Sequence, residues 1–164
     1  MTKLPSGVHI HNLIDDLRIC SWEASDILIY YAQKLKNLNH DHKIIKNKDK
    51  SNPITVADLE VNDLIIKMIK EKYKDIDWEI LSEENVKISS NIFKKDSDWI
   101  WVLDPLDGTK DFIQGTGNYA MHLSLNFKTK PFLGVVLIPD KNELWISNGK
   151  DVWCEGRDGS IKKK

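Results

Sequence analysis

Two carboxylates, Asp104 and Asp107, stand three residues apart, directly after the apolar run Trp99-Ile100-Trp101-Val102-Leu103 and just before Gly108-Thr109. The run predicts a buried strand that stops at Asp104, with Pro105-Leu106 forming a tight bend. Acidic groups at the rim of a hydrophobic strand are costly to desolvate unless a cation stands between them. A hard divalent cation on oxygen ligands would explain the pattern, with the Gly108-Thr109 backbone open to an anion. Asp-Pro and Asp-Gly are also ordinary turn dipeptides, so a plain strand-ending turn stays as the alternative. Two more acidic stations bear on the choice. Glu83 and Glu84 follow the short apolar segment 78–81, and Asp58 lies just inside a patterned helix entered through Asn52-Pro53-Ile54-Thr55. Three acidic stations, each at the end of a regular element, are what a convergent metal site needs.

The elements that must position these residues are read from periodicity. Leu13, Leu17, Cys20, Ala24, Leu28, Tyr31 and Leu35 recur at three- and four-residue steps and predict a long amphipathic helix over 12–37. The Lys- and Asn-rich stretch 37–53 is aperiodic and predicts a mobile loop. A second helix is expected over 56–73, with Ala57, Val61, Leu64, Ile65 and Met68 on its buried side. Thr55 suits its N-cap, and Asp58 three residues on sits near the positive end of the helix dipole. Capping alone is therefore a sufficient account of Asp58. Strands are expected near 79–82, 99–103, 119–127, 132–138 and 144–147. In the third of these, Met121, Leu123 and Leu125 alternate with His122, Ser124 and Asn126. Turns at 126–130 and 139–142 would join the later strands into an antiparallel meander. Two helices on such a sheet make a layered α+β domain, here a single domain over 1–164.

At 164 residues, 41% of them hydrophobic, the chain can bury a real core. Charged residues make up 30% and nearly cancel to −1, which gives no global basic field for a nucleic acid polymer or a membrane. Lysine clusters at 43–50 and 162–164 read as solvated loop and tail, and the first leaves open a basic approach for an anion. Two cysteines, Cys20 and Cys154, are too few for a disulfide framework, and Cys20 falls on the apolar helix face. No apolar run nears the ~18 residues of a membrane span, and the start has no signal-like apolar core. A cytoplasmic setting is the expectation. The five histidines lack zinc-ligand company: His9 and His11 fall in a start expected to be disordered, His40 and His42 in the loop, and His122 alone on a strand. Trp99 and Trp101 fit the strand pattern better than a base-stacking surface.

Four segments in a fixed order carry a family resemblance: Pro53-Ile54-Thr55-Val56-Ala57-Asp58; Leu81-Ser82-Glu83-Glu84; Trp101-Val102-Leu103-Asp104-Pro105-Leu106-Asp107-Gly108-Thr109-Lys110-Asp111-Phe112; and Lys130-Pro131-Phe132-Leu133-Gly134-Val135-Val136. The chain resembles the lithium-sensitive, magnesium-dependent phosphomonoesterases related to inositol monophosphatase, most of all the CysQ-type 3′(2′),5′-bisphosphate nucleotidases. The resemblance implies the sheet-and-helix first half of the sugar-phosphatase fold. Family members have a second α/β half with a further aspartate that nothing after Thr109 matches. A shortened or truncated product, or a fragment, is therefore expected.

By the same resemblance, Asp104 bridges two metals, Glu83 and the Leu106 carbonyl complete one shell, and Asp107 belongs to the second. The absent aspartate would weaken that second site. Two or more Mg²⁺ ions are implied, with Mn²⁺ as a substitute and Li⁺ inhibitory. Glu83 and Thr109 would position and deprotonate the attacking water, and Asp58 would orient the Thr109 hydroxyl. Glu83, Leu106, Asp107, Gly108 and Thr109 would meet the substrate, Gly108 because a side chain there would obstruct the phosphate. Glu84 is either a support for the site or solvated; Lys110 is a surface residue or a phosphate contact. The implied reaction is hydrolysis of the 3′-phosphate of adenosine 3′,5′-bisphosphate to AMP and phosphate, so the partner is a small phosphate ester. Thr109-Lys110-Asp111-Phe112 favours this branch over inositol monophosphatase, the nearest rival. A metal-binding remnant without activity, paired with a second copy or with a chain supplying the other half, is the rival from another class.

Overall fold

Alternation of apolar and polar residues builds a seven-stranded sheet, and helical periodicity supplies the layer that covers one side of it. The computed structural model describes residues 4–37, 44–46, 53–88 and 97–163. Its helices are α1 (Ile10–Asn37), α2 (Val56–Lys72), α3 (Glu83–Ile88) and α4 (Thr109–Gln114). The strands are β1 (Glu79–Ser82), β2 (Trp99–Asp107), β3 (Ala120–Phe127), β4 (Lys130–Ile138), β5 (Glu143–Ser147), β6 (Val152–Glu155) and β7 (Ile161–Lys163). They lie in space in chain order, β1 to β7.

The α+β reading holds, with one correction to the sheet. From β2 onward every pairing is antiparallel, but β1 runs parallel to β2, with Ser82 opposite Leu103. A second correction concerns β2, which does not stop at Asp104. It continues to Asp107 through a bulge, because Pro105 and Leu106 turn inward and stay buried. The short helices α3 and α4 and the outer strands β6 and β7 were not anticipated. Six-residue helices and three- or four-residue strands are too short for periodicity to register.

The core lies between the helices and one face of the sheet. Trp101, Leu123, Leu125 and Leu137 point into it from the strands, and Leu13, Leu17 and Leu28 from α1. In α2 the buried side is Ala57, Val61, Ile65 and Ile69, while Leu64 and Met68 only border the core. Burying each large side chain stabilises the fold by roughly 1.5–3 kcal/mol. Arg18 ties α1 to β6 through Glu155, and Arg157 ties the β6–β7 turn back to Asp26 at 2.7 Å.

Several smaller expectations need amending. Residues 4–9 form an ordered entry to α1, with Val8 buried and the Leu13 amide on the His9 carbonyl at 3.0 Å, so His9 and His11 do not lie in a disordered start. Lys162 is exposed, as expected, but it belongs to β7 rather than to a tail, and its ammonium donates to the Lys141 and Asn142 carbonyls. Most of the 37–53 loop, with His40 and His42, lies outside the described residues; within it, Ile44 is buried and Ile45 bridges Thr55.

Candidate active site

The parallel β1–β2 pair sets the geometry. Because Ser82 is in register with Leu103, the next residue of each segment, Glu83 and Asp104, follows the last β1–β2 pair at the same end, Glu83 opening α3 while Asp104 continues in β2. Ser82 is fully buried, and its hydroxyl donates to the Asn62 side-chain oxygen on α2, which fixes the end of β1. Burial pushes the Asp104 carboxyl up to about 7, assisted by the charge of Glu83, a hydrogen bond shared with it, and the charge of Asp107. The Leu106 amide, donating to Asp104 Oδ1 at 3.2 Å, works against that rise.

Thr109 opens α4 and reaches two acceptors. Its Oγ1 lies 3.0 Å from the Leu106 carbonyl and 3.4 Å from Asp58 Oδ1. One hydroxyl proton serves one acceptor at a time, so Asp58 and Leu106 compete for it. Asp58 is 2% exposed, and its two oxygens divide the work. Oδ2 accepts the Thr55 amide at 2.8 Å and the Thr55 hydroxyl at 2.6 Å, while Oδ1 faces Thr109. The capping box is complete, so the capping and site-facing readings of Asp58 hold together. Burial raises Asp58 to about 6 against the hydrogen bonds from Thr55, with the charge of Glu84 adding to the rise. Glu84 itself is 1% exposed, which removes the solvated reading.

Gly108 has φ +83, a left-handed conformation that favours glycine. A Cβ there would stand 2.6 Å from the Asn118 carbonyl oxygen. The β2–α4 corner therefore packs backbone against backbone on Asn118 and Tyr119. A cavity of about 290 Å³ opens at this corner, lined by Glu83, Asp104, Leu106, Asp107, Gly108 and Thr109, and rimmed by Pro53, Lys110 and Asp111. Every sequence-predicted site residue but Asp58 borders it, and Asp58 stands directly behind Thr109. Asp111 and Asn118 were missed. Asp111 sits in the same Thr-Lys-Asp-Phe segment already singled out, whereas a carbonyl contact such as that of Asn118 leaves no side-chain signal.

The donor set at this corner is all oxygen. Asp104 is held protonated to about 7 by crowding and burial, a condition that a bound dication would relieve. Among the described residues no three Asp, Glu, His or Cys side chains converge as a complete metal cluster. Oxygen donors of this kind could hold a hard cation that keeps several waters, such as Mg²⁺. Glu83, Asp104 and the Leu106 carbonyl would hold it, with Asp107 at the exposed side.

Residues 13–164 match the inositol monophosphatase family. The chain is 34% identical over 130 residues to a 3′(2′),5′-bisphosphate nucleotidase CysQ of Haemophilus influenzae, covering 78% of this chain and 44% of that protein. It is 34% identical over 100 residues to a Nus factor SuhB of Pasteurella multocida, covering 61% of this chain and 35% of that protein. Among solved structures, the extragenic suppressor protein suhB of Bartonella henselae superposes with a TM-score of 0.71 at 22% identity, over 87% of this chain and 52% of that one; this likeness is one of fold. The chain thus spans about a third to a half of the length of the proteins it matches.

Proposed function

We propose that this chain, which belongs to the inositol monophosphatase family, carries the acidic half of a Mg²⁺-dependent phosphomonoesterase that hydrolyses the 3′-phosphate of adenosine 3′,5′-bisphosphate to AMP and phosphate. The observation that carries the reading is the pairing of Glu83 with Asp104 across the parallel strand ends, one cavity wall away from the Thr109 hydroxyl. The segment Thr109-Lys110-Asp111-Phe112 supports the nucleotide over the inositol substrate; overall identity does not choose, because CysQ proteins at 31–34% stand level with SuhB proteins at 31–34%.

Magnesium, when bound, would supply charge neutralisation on the phosphoryl oxygens and acidify a bound water. Glu83 and Thr109 face the cavity where the attacking water must lie. The Glu83 carboxylate takes a proton from that water, and the Thr109 hydroxyl orients it. Asp58 holds Thr109 through Oδ1 and is itself immobilised by Thr55. Gly108 is required on the side away from the cavity, where a Cβ would meet the Asn118 carbonyl rather than the expected phosphate; its place in the substrate site is through its backbone. The freed ribose 3′-oxygen leaves with a proton drawn from solvent. The same reading assigns the chain to the cytoplasm, a compartment in which cysteines such as Cys20 and Cys154 stay reduced.

The test is phosphate release from adenosine 3′,5′-bisphosphate and from inositol monophosphate, with Mg²⁺, beside Asp104→Asn. A preference of about tenfold or more for the nucleotide is expected; this corresponds to about 1.4 kcal/mol in the barrier. The reverse preference would replace the proposed substrate by the inositol ester.

A second reading is favoured by the sheet face turned away from α1 and α2. There Val102 is 39% exposed and Val152 55% exposed, and both border a groove of about 460 Å³ with Val136 and Trp145 that ends at Asp104. On this reading the chain binds metal without turnover until a polypeptide equivalent to the unspanned part of its relatives covers that face. Adding the second half of a CysQ relative as a separate chain should then give a one-to-one complex in sedimentation and switch on hydrolysis. No complex, with activity already present in the chain alone, would dismiss it.

A further inference from the structure

The segment that backs Gly108 is held by a contact outside the cavity. Tyr119 is 5% exposed; its ring meets Phe112 of α4 edge-on at 4.9 Å, and its hydroxyl donates to Asp140 Oδ1 at 2.6 Å. Burial and this hydrogen bond both hold the phenol proton well above its usual range. The other oxygen of Asp140 lies 2.7 Å from where a Cβ would stand on Gly117, which has φ +81. The same carboxylate thus grips the segment at Tyr119 and occupies the space that a side chain at Gly117 would need. Between these two points is Asn118, whose carbonyl oxygen sits 2.6 Å from the Cβ position of Gly108.

Asp140 is well placed to hold the segment. It sits in the 3₁₀ turn Pro139–Lys141 between β4 and β5, where Pro139 is buried and its carbonyl accepts the Asn142 amide at 2.9 Å. From the other end, Thr116 Oγ1 donates to Asp111 Oδ1 on α4 at 2.7 Å, closing the segment onto the same helix. The Gly108–Thr109 corner is therefore clamped from outside the cavity by a residue some thirty positions further along the chain.

We infer that Asp140, acting through Tyr119 and the Asn118 carbonyl, is a positioning residue for the Gly108–Thr109 corner, and through it for the Thr109 hydroxyl that serves the proposed hydrolysis. Its role in turnover rests on the phosphatase reading; its hold on the corner does not. Asp140 touches neither the cavity nor any acidic side chain of it, so its loss should disturb Thr109 while leaving Glu83 and Asp104 in place.

The experiment uses the full chain with Asp140→Ala, Asp140→Asn and Tyr119→Phe, and reads amide hydrogen exchange by NMR, Mn²⁺ affinity, and kcat and KM where turnover is measurable. Asp140→Ala should speed exchange at Gly108 and Thr109 by about tenfold while the strand amides of Leu123 and Val135 stay as they were. Tyr119→Phe should reproduce the effect, and Asp140→Asn, which keeps an acceptor oxygen, should largely reverse it. Mn²⁺ affinity should stay within about twofold of wild type, and kcat should fall by about tenfold with KM little changed. Unaltered exchange at the corner, or an increase spread evenly over the sheet, would overturn the inference. So would an unchanged kcat in an active Asp140→Ala enzyme. A chain that neither binds Mn²⁺ nor hydrolyses any ester would instead remove the phosphatase reading, and the exchange data would still decide the clamp.

Discussion

Glu83 and Asp104, twenty-one positions apart in the chain, share a hydrogen bond and a field at the ends of two parallel strands. Two carboxyls so placed cannot both ionise freely in a half-buried corner, and Asp104 keeps its proton up to about 7. In the metal-free protein this is a latent cost of the fold, and it becomes measurable as pH rises.

An unfolded aspartate ionises near 3.8, the folded Asp104 only near 7. Below about pH 4 both states hold the proton and Asp104 exerts no pull. Between about 4 and 7 the unfolded chain releases it first, so the metal-free fold loses stability; the full shift would be worth about 4 kcal/mol, and solvent screening of the half-buried carboxyl brings this to on the order of 2 kcal/mol. Thermal melts in chelator at pH 4.5 and pH 8 should show a falling Tm for wild type and a flatter profile for Asp104→Asn. The slope left in that variant belongs to Asp58, which acts in the same direction between about 4 and 6. Parallel profiles for the two proteins would show that Asp104 is not crowded.

Addition of Mn²⁺ should reverse that loss at pH 8. In calorimetric titration, Glu83→Gln and Asp104→Asn should each weaken binding by at least about tenfold, and Asp107→Asn, on the exposed side, by less. If Asp104→Asn bound Mn²⁺ as tightly as wild type, the donor set argued above would be wrong.

Gly108→Ala meets two obstacles at once, a left-handed φ and a backbone carbonyl where its methyl must go. A carbonyl in a packed turn cannot swing aside like the end of a lysine. The substitution should cost about 1–3 kcal/mol in urea unfolding and remove any hydrolysis. A loss below about 0.5 kcal/mol would mean that the corner is less tightly packed than described.

The two arginine bridges offer a contrast in burial. Glu155 is 2% exposed, so Arg18→Met strands a buried carboxylate and should destabilise the protein by about 2 kcal/mol. Arg157 and Asp26 both face solvent, and Arg157→Met should unfold at the same urea concentration as wild type. Equal effects from the two variants would contradict this account of Glu155.

What could be read from the residues was whatever leaves a periodic or chemical mark. The stripe from Leu13 to Leu35 gave α1, and the alternation from Met121 to Leu125 gave β3, because burial repeats at the pitch of each element. The site was legible as acidic residues at element ends. Their meeting was not, because the parallel register of Ser82 with Leu103 depends on a crossover whose route no local pattern records. Asp58 was ambiguous for a physical reason: its two oxygens do two jobs, and either one suffices to explain an aspartate three residues after Thr55. The clamp of Tyr119 by Asp140 was invisible, since it joins an unremarkable tyrosine to a turn aspartate across two strands.

Arg18 and Glu155 stand 137 positions apart and meet in one bridge. Each strand from β2 onward lies beside the one made just before it, so the sheet can lengthen as synthesis proceeds, by short and fast closures. The α1–β6 bridge cannot. It closes only once β6 is in place, and works as a latch that ties the sixth strand back to the first helix.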